Sequence, residues 1–148
     1  MNVKGLTPVL NVSDVAASMR WFMQLGWKVG FAWDGSAMLD IHADHALIDK
    51  AVFGSVCSGD EVQIFLCRDA QGLRGGKPAT FDGDDDCGAV WMSLWLGSPA
   101  EVDAAHQLAV SHGVTVLWPP TDEPWGVREC RIMHPDGHVF RLSAGLGG

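Results

Sequence analysis

Apolar and polar positions predict the same order of elements twice along the chain. In the first half, an apolar run of strand length at 6–12 is followed by apolar residues at helical spacing. Ser13 and Asp14 are both N-cap candidates, and Gly26 closes the segment as a residue suited to a helix end. Three strand-like runs follow, at 27–33, 51–56 and 61–68, with a hairpin turn at 57–60. The predicted order is βαβββ.

The second half repeats this order. A strand at 89–96 precedes Ser98 and Pro99, which are typical of a helix start, and Gly113 ends the helical pattern. Further strands are predicted at 114–118, 127–133 and 139–143, with a Pro-Asp-Gly turn at 135–137 between the last two. We therefore predict an α+β protein with two tandem βαβββ modules, at 5–69 and 89–146, within one domain that spans 1–148.

Two segments fall outside the repeat. Residues 70–88 are rich in Gly and Asp and are predicted to link the modules, and Asp34–Lys50 is predicted to be an insertion after the second strand. A module of this size cannot easily bury a whole sheet face alone. We therefore expect the modules to pack together or to exchange between the subunits of a homodimer.

Charge and composition narrow the range of partners. The formal net charge is −8, which argues against nucleic acid and is compatible with a cationic ligand, although the acidic run at 82–86 is also typical of a solvated linker. The chain has seven tryptophans and no tyrosine, a composition suited to stacking on flat aromatic or cationic molecules. No apolar run resembles a signal peptide or a membrane helix, so we expect a cytoplasmic protein.

Reactive side chains form no recognisable catalytic motif. The four cysteines, at 57, 67, 87 and 130, lack the C-x-x-C spacing and are expected to be reduced thiols. The cluster of His42, Asp44 and His45 lies in the insertion and is expected to face solvent. His134 and His138 flank the last turn, could point at one another, and are likewise expected to be exposed.

Three stretches resemble the glyoxalase and bleomycin-resistance superfamily, also called vicinal oxygen chelate proteins. The opening PVLNVSDVAASMRWFMQLGWKV resembles its first strand and helix, and VWMSLWLGSPAEVDAAH fits its middle. The closing EPWGVRECRIMHPDGHVFRL resembles the closing segment of the bleomycin-binding members, whose pattern is P-W-G-x-R-E-F followed by D-P-x-G. This chain has Cys130 where the pattern has Phe, and His134 where it has Asp. The resemblance implies a curved sheet in each module around a concave groove, which lies between two subunits in the dimeric members.

The same resemblance implies where a metal would be held. Catalytic members carry His, Gln or Glu on the first and last strands of each module, and the matching positions here are Thr7, Phe65, Trp91 and Arg141. Trp and Phe cannot ligate a metal, Arg would repel it, and a single Thr is a weak donor. We therefore expect the metal site to be lost and predict no cofactor.

Strand alternation then predicts the composition of the groove. If Trp91 and Arg141 face it, so do Ser93, Trp95, Val139 and Ser143, while the first module contributes Thr7, Val9, Asn11, Gln63, Phe65 and Cys67. The candidate ligand-binding residues are Trp33, Phe65, Trp91, Trp95, Trp118, Trp125, Arg128 and Arg141. For Trp91 and Trp125 a place in the core stays open, and Arg128 could instead form a structural ion pair. Arg141 could bind a carboxylate or carbonyl.

These features favour metal-independent binding and sequestration of a hydrophobic or aromatic antibiotic, or a related natural product, as the function. The alternative is a lyase, isomerase or dioxygenase of the same superfamily with displaced ligands, using His42, His45 or His138. A third hypothesis is a regulatory domain without a small-molecule ligand.

Overall fold

A computed structural model describes residues 1–68 and 90–147. The chain divides into two compact units, Met1–Pro78 and Ala79–Gly148. The predicted linker at 70–88, which contains Cys87, lies outside the described residues. Ala89, the first residue of the predicted strand at 89–96, lies outside them as well.

The first unit contains the predicted βαβββ order. Its elements are β1 (Val9–Asn11), α1 (Val15–Gln24), β2 (Lys28–Trp33), β3 (Phe53–Ser58) and β4 (Val62–Cys67). The predicted insertion forms a bridge between Trp33 and Met38 and then a 3-10 helix at His45–Lys50. His42 and His45 are exposed, in line with a solvent-facing segment.

The second unit repeats the order. Its elements are β5 (Trp91–Trp95), α2 (Pro99–Ser111), β6 (Thr115–Glu123), β7 (Val127–Met133) and β8 (Val139–Gly145). Strand β6 continues five residues beyond the predicted end, through Pro119 and Pro120, with register shifts against β7 on either side of Trp118. The prolines are tolerated because β6 is an edge strand, where one row of N–H groups needs no partner.

The two sheets share one topology. The strand orders are β1-β4-β3-β2 and β5-β8-β7-β6, and in each the first strand runs parallel to the last while the other pairs are antiparallel. The paired modules that the sequence predicts are therefore present as two mixed four-stranded sheets.

Local chemistry sets the helix ends as predicted. The Asp14 carboxylate accepts a hydrogen bond of 2.9 Å from the N–H of Ala17, and the Ser98 hydroxyl accepts one of 3.3 Å from the N–H of Glu101. Gly26 and Gly113, which follow the helices, have φ of +86° and +70°, a backbone region that favours glycine.

Each helix packs on one face of its own sheet and forms that unit's core. In the first unit, Met19 and Phe22 are buried with Leu66 of β4. A Cβ at Gly54 would collide with the Met19 side chain and the Phe31 carbonyl oxygen, so glycine permits the close approach of α1 to β3. In the second unit, Val102 and Ala109 of α2 are buried, as are Ile132 and Phe140. None of the described helices has the length and apolarity needed to cross a membrane.

The turn between β7 and β8 departs from the prediction. His134 and His138, expected to be exposed, are buried. Their Nδ1 atoms accept hydrogen bonds from the N–H groups of Asp136 (3.0 Å) and Val90 (3.1 Å), and their rings lie 5.7 Å apart. Burial lowers the pKa of His134 to about 4, so the ring is neutral at pH 7. These histidines therefore tie the turn to the start of β5.

Candidate functional site

The face of each sheet away from its helix, here called the helix-distal face, brings the candidate residues together. On the second sheet the ladder register pairs Trp91 with Val139, Ser93 with Arg141, and Trp95 with Ser143. Because paired residues point to the same side, these six side chains share one face, as alternation predicts. The same register places Glu129 and Arg131 of β7, and Trp118 of β6, on this face.

A buried carboxylate lies at the centre of this face. Glu129 is fully buried and accepts a hydrogen bond of 2.7 Å from Nε of Arg131 and another from Nη2 of Arg141. Burial alone would raise the pKa of Glu129, but the hydrogen bonds from Arg141 and Arg131 outweigh it and hold the pKa below its usual value. The three side chains therefore form a charged cluster with two cations and one anion.

Two tryptophans flank one of these cations. The Arg131 guanidinium lies 5.9 Å from the ring centroid of Trp91 and 5.5 Å from that of Trp118, within the range of cation–π contact. Both indoles remain about half exposed, and Trp95 on the same face is 70% exposed. Trp91 is thus neither in the core nor isolated, and the contact leaves ring surface of both indoles accessible.

Two polar atoms on this face lack a hydrogen bond. Nε of Arg141 and Oγ of Ser143 are shielded from solvent and have no partner among the described residues. A buried polar group left in this state costs about 1–3 kcal/mol. Arg141 and Ser143 are two residues apart on β8, so both side chains point to the same side.

The helix-distal face of the first sheet is aromatic and has few charges. Phe31, Phe53 and Phe65 form a triangle with centroid separations of 5.5 Å, and the amide of Gln63 donates a hydrogen bond of 2.9 Å to the Ser55 hydroxyl. The candidate Phe65 is one corner of this cluster.

Three candidates lie at the margins or elsewhere. Trp33 ends β2 and is 36% exposed, and Trp125 is 59% exposed in the turn between β6 and β7. Arg128 lies on the opposite face from Glu129, where it donates hydrogen bonds of 2.7 Å to both Asp103 of α2 and Asp122. Arg128 therefore has the structural ion pairs that were its alternative role, and we leave it out of the site.

Sequence reasoning missed the role of Arg131. It stands two residues after Glu129 on one strand, so the spacing could have placed the two on one face. Phe31 and Phe53 were missed because their grouping with Phe65 depends on the register of β2, β3 and β4.

Comparison with known proteins gives this architecture a family context. Residues 6–142 match the model of the Glyoxalase/Bleomycin resistance protein/Dioxygenase superfamily. No curated protein matches the chain.

Solved structures with the same fold are distant in sequence. A glyoxalase/bleomycin resistance protein/dioxygenase from Nocardioides has 22% identity and a TM-score of 0.68, covering 100% of this chain and 87% of that one. A superfamily member from Sphaerobacter thermophilus has 23% identity and a TM-score of 0.68, covering 97% and 98%. Lactoylglutathione lyase from Agrobacterium tumefaciens has 13% identity and a TM-score of 0.63, covering 98% and 96%. At these identities the likeness supports the fold alone.

The residues at the four implied ligand positions do not fit a metal. Thr7 lies ahead of β1, Phe65 belongs to the phenylalanine triangle, Trp91 contacts Arg131, and Arg141 pairs with Glu129. No group of three or more His, Cys, Asp or Glu in the described ranges is arranged to hold one. A guanidinium repels a divalent ion, and neither aromatic ring carries a lone pair suited to binding one.

Proposed function

This chain belongs to the Glyoxalase/Bleomycin resistance protein/Dioxygenase superfamily, and we propose that it binds and sequesters an aromatic natural product of the antibiotic class without using a metal. The observation that carries the proposal is the helix-distal face of the second sheet. There Trp91, Trp95 and Trp118 keep large parts of their rings exposed. Scattered exposed apolar residues are common, but three tryptophans on one sheet face are typical of a ligand-contact surface.

The chemistry at the four implied ligand positions supports binding rather than turnover. The side chains there stack and donate hydrogen bonds, and they offer no Lewis acid or activated nucleophile. The enzyme hypothesis depends on His42, His45 and His138. The first two are exposed on the insertion, and Nδ1 of the third already accepts the Val90 N–H. We therefore put the binding function first.

The homodimer is also part of the proposal. Each βαβββ unit is small, and its helix covers only one sheet face. Sedimentation equilibrium at micromolar concentration tests this part alone, and a monomeric mass would remove it without affecting the binding proposal.

Tryptophan fluorescence tests the binding function directly. Chelator-treated protein is titrated with bleomycin and a panel of aromatic antibiotics, and we expect saturable quenching at about one ligand per subunit for at least one compound. Replacing Trp91 and Trp118 with Phe should remove most of the quenching. Trp27→Phe is the control, because Trp27 packs on Phe22, 5.1 Å between centroids. Quenching that requires added zinc, nickel, manganese or iron would overturn the metal-independent function.

A further inference from the structure

We propose that the ligand carries a carboxylate on its aromatic framework and that Arg141 and Ser143 bind this group. The inference rests on the proposed binding function and specifies its ligand class. It comes from three features of the helix-distal face of the second sheet: its local charge, its two unpartnered polar atoms and the tryptophans beside them.

The local charge is opposite to that of the chain. The formal net charge is −8, yet the hydrogen-bonded cluster of Glu129, Arg131 and Arg141 has two positive charges and one negative. The next carboxylate along this face, Glu123, lies two ladder positions away on β6, where it acts on the Arg141 charge through space without a hydrogen bond to the cluster. The cluster therefore has one positive charge that its own hydrogen bonds leave unneutralised.

This positive charge is accessible. The side chains of Arg141 and Arg131 are 33% and 27% exposed, whereas that of Glu129 is fully buried. A molecule that approaches the cluster therefore contacts the guanidinium groups of Arg131 and Arg141 and not the Glu129 carboxylate. A ligand anion gains a charge-assisted hydrogen bond there, and a ligand cation meets like charge.

The two unpartnered polar atoms indicate which side chains bind the ligand's carboxylate. Nε of Arg141 is a donor without an acceptor among the described residues, and the Ser143 hydroxyl, which can donate or accept, has no partner there either. Residues two apart on a strand are separated by roughly 6–7 Å, so the two oxygens of one carboxylate can bridge these side chains. Both atoms are shielded from solvent, so the carboxylate reaches them as the partly exposed Arg141 side chain turns and exchanges its hydrogen bond to Glu129 for one to the ligand. Binding then removes two unsatisfied groups together.

The neighbouring tryptophans indicate that the carboxylate is attached to an aromatic ring. Trp95 is the register partner of Ser143 and is 70% exposed, and Trp91 lies two residues before Ser93, the register partner of Arg141. An anion held at Arg141 and Ser143 therefore places its own ring against indole surface. The ligand is therefore an aromatic carboxylic acid, in place of the cationic ligand with which the overall charge is compatible.

Matched probes with one ring system test the assignment. Calorimetric titration compares 2-naphthoate, 2-naphthamide and 2-naphthylmethylammonium, which share the ring and differ in charge. We expect naphthoate to bind about tenfold or more tightly than the amide, with the ammonium weakest. Ser143→Ala and Arg141→Gln should each reduce the preference for naphthoate several-fold. Arg20→Gln and Ser111→Ala are controls, because Arg20 pairs with Asp49 and Ser111 donates to the Leu108 carbonyl.

Stability separates ligand binding from a structural role. Ser143→Ala removes a buried donor that has no described partner, so its melting temperature should equal or exceed that of the wild type while its naphthoate affinity falls. This variant keeps the test valid even where Arg141→Gln does not fold.

The outcomes are distinct. Binding of all three probes with similar affinity, or a preference for the ammonium, would overturn the carboxylate site and leave the aromatic-binding function standing. Absence of binding by every probe and every antibiotic would overturn both. A preference for naphthoate that Ser143→Ala leaves unchanged would overturn the role of Ser143.

Discussion

The buried carboxylate at position 129 provides the strongest test of the structure. In Glu129→Ala, Arg131 and Arg141 lose their common acceptor. Removing one partner of a fully buried ion pair costs about 3–5 kcal/mol. Here the arginine side chains are 27% and 33% exposed and can turn toward water, which reduces the cost. We expect a loss of about 2–3 kcal/mol in the free energy of unfolding.

Urea denaturation of the wild type and the variant measures the difference in the free energy of unfolding, and thermal denaturation measures the corresponding shift in melting temperature. In a chain of 148 residues, the expected loss lowers the melting temperature by about 5–10 °C. Asp49→Ala is the control, because it also removes the acidic partner of an arginine, but from a pair whose side chains are 49% and 61% exposed. That change should cost under about 1 kcal/mol.

The pH dependence of the same variant has a defined sign. The folded-state pKa of Glu129 lies below its ordinary value because the hydrogen bonds of Arg141 and Arg131 outweigh burial. Its contribution is therefore fully present above the unfolded-state pKa, about 4.3, and is lost as the pH falls through the lower folded-state value. The difference between wild type and Glu129→Ala should shrink below pH 4. A variant as stable as Asp49→Ala at pH 7 would refute the buried cluster.

Three further predictions concern other parts of the fold. The pKa of His134, lowered by burial to about 4, means that the neutral ring stabilises the fold above the unfolded-state value of about 6.5. Wild-type stability should fall by up to about 3 kcal/mol between pH 6.5 and 4, and His134→Asn should flatten that slope. Gly54→Ala should cost about 2 kcal/mol or more, because its Cβ would lie 2.5 Å from the Phe31 carbonyl oxygen, which cannot move aside as the end of the Met19 side chain can, whereas Gly5→Ala, with nothing within 4 Å, should be neutral by urea denaturation. Ser98→Ala should cost about 1 kcal/mol in the same assay, because the N-cap of α2 is lost.

Features fixed by neighbouring residues could be predicted from the sequence. Asp14 and Ser98 cap their helices, and Gly26 and Gly113 end them, because each role is decided within a few residues. The two sheets follow from the repeated βαβββ pattern. The end of β6 could not be predicted, because proline normally argues against a strand and only the edge position permits it here.

Features fixed by distant partners could not be predicted. Alternation states that Arg128 and Glu129 point to opposite faces, but it does not state which face the helix covers. That is decided by the burial of Val102 and Ala109 of α2 on the sheet, which also brings Asp103 within 2.7 Å of Arg128, 25 residues away in sequence. The position of Trp118 beside Arg131 likewise depends on register shifts in β6, which no local pattern encodes.

The charge of Arg141 lies at a position that the family resemblance associates with a metal ligand. By resemblance, position 141 is where catalytic members hold a metal ligand, and here it holds a cation that is part of the chain. The hydrogen bond from Arg141 to Glu129 raises the pKa of Arg141, so the guanidinium stays charged at neutral pH. Such a group can attract and orient an anion, but it cannot activate water as a metal does. Under the proposed function, this fixed positive centre on the second sheet orients an anionic ligand.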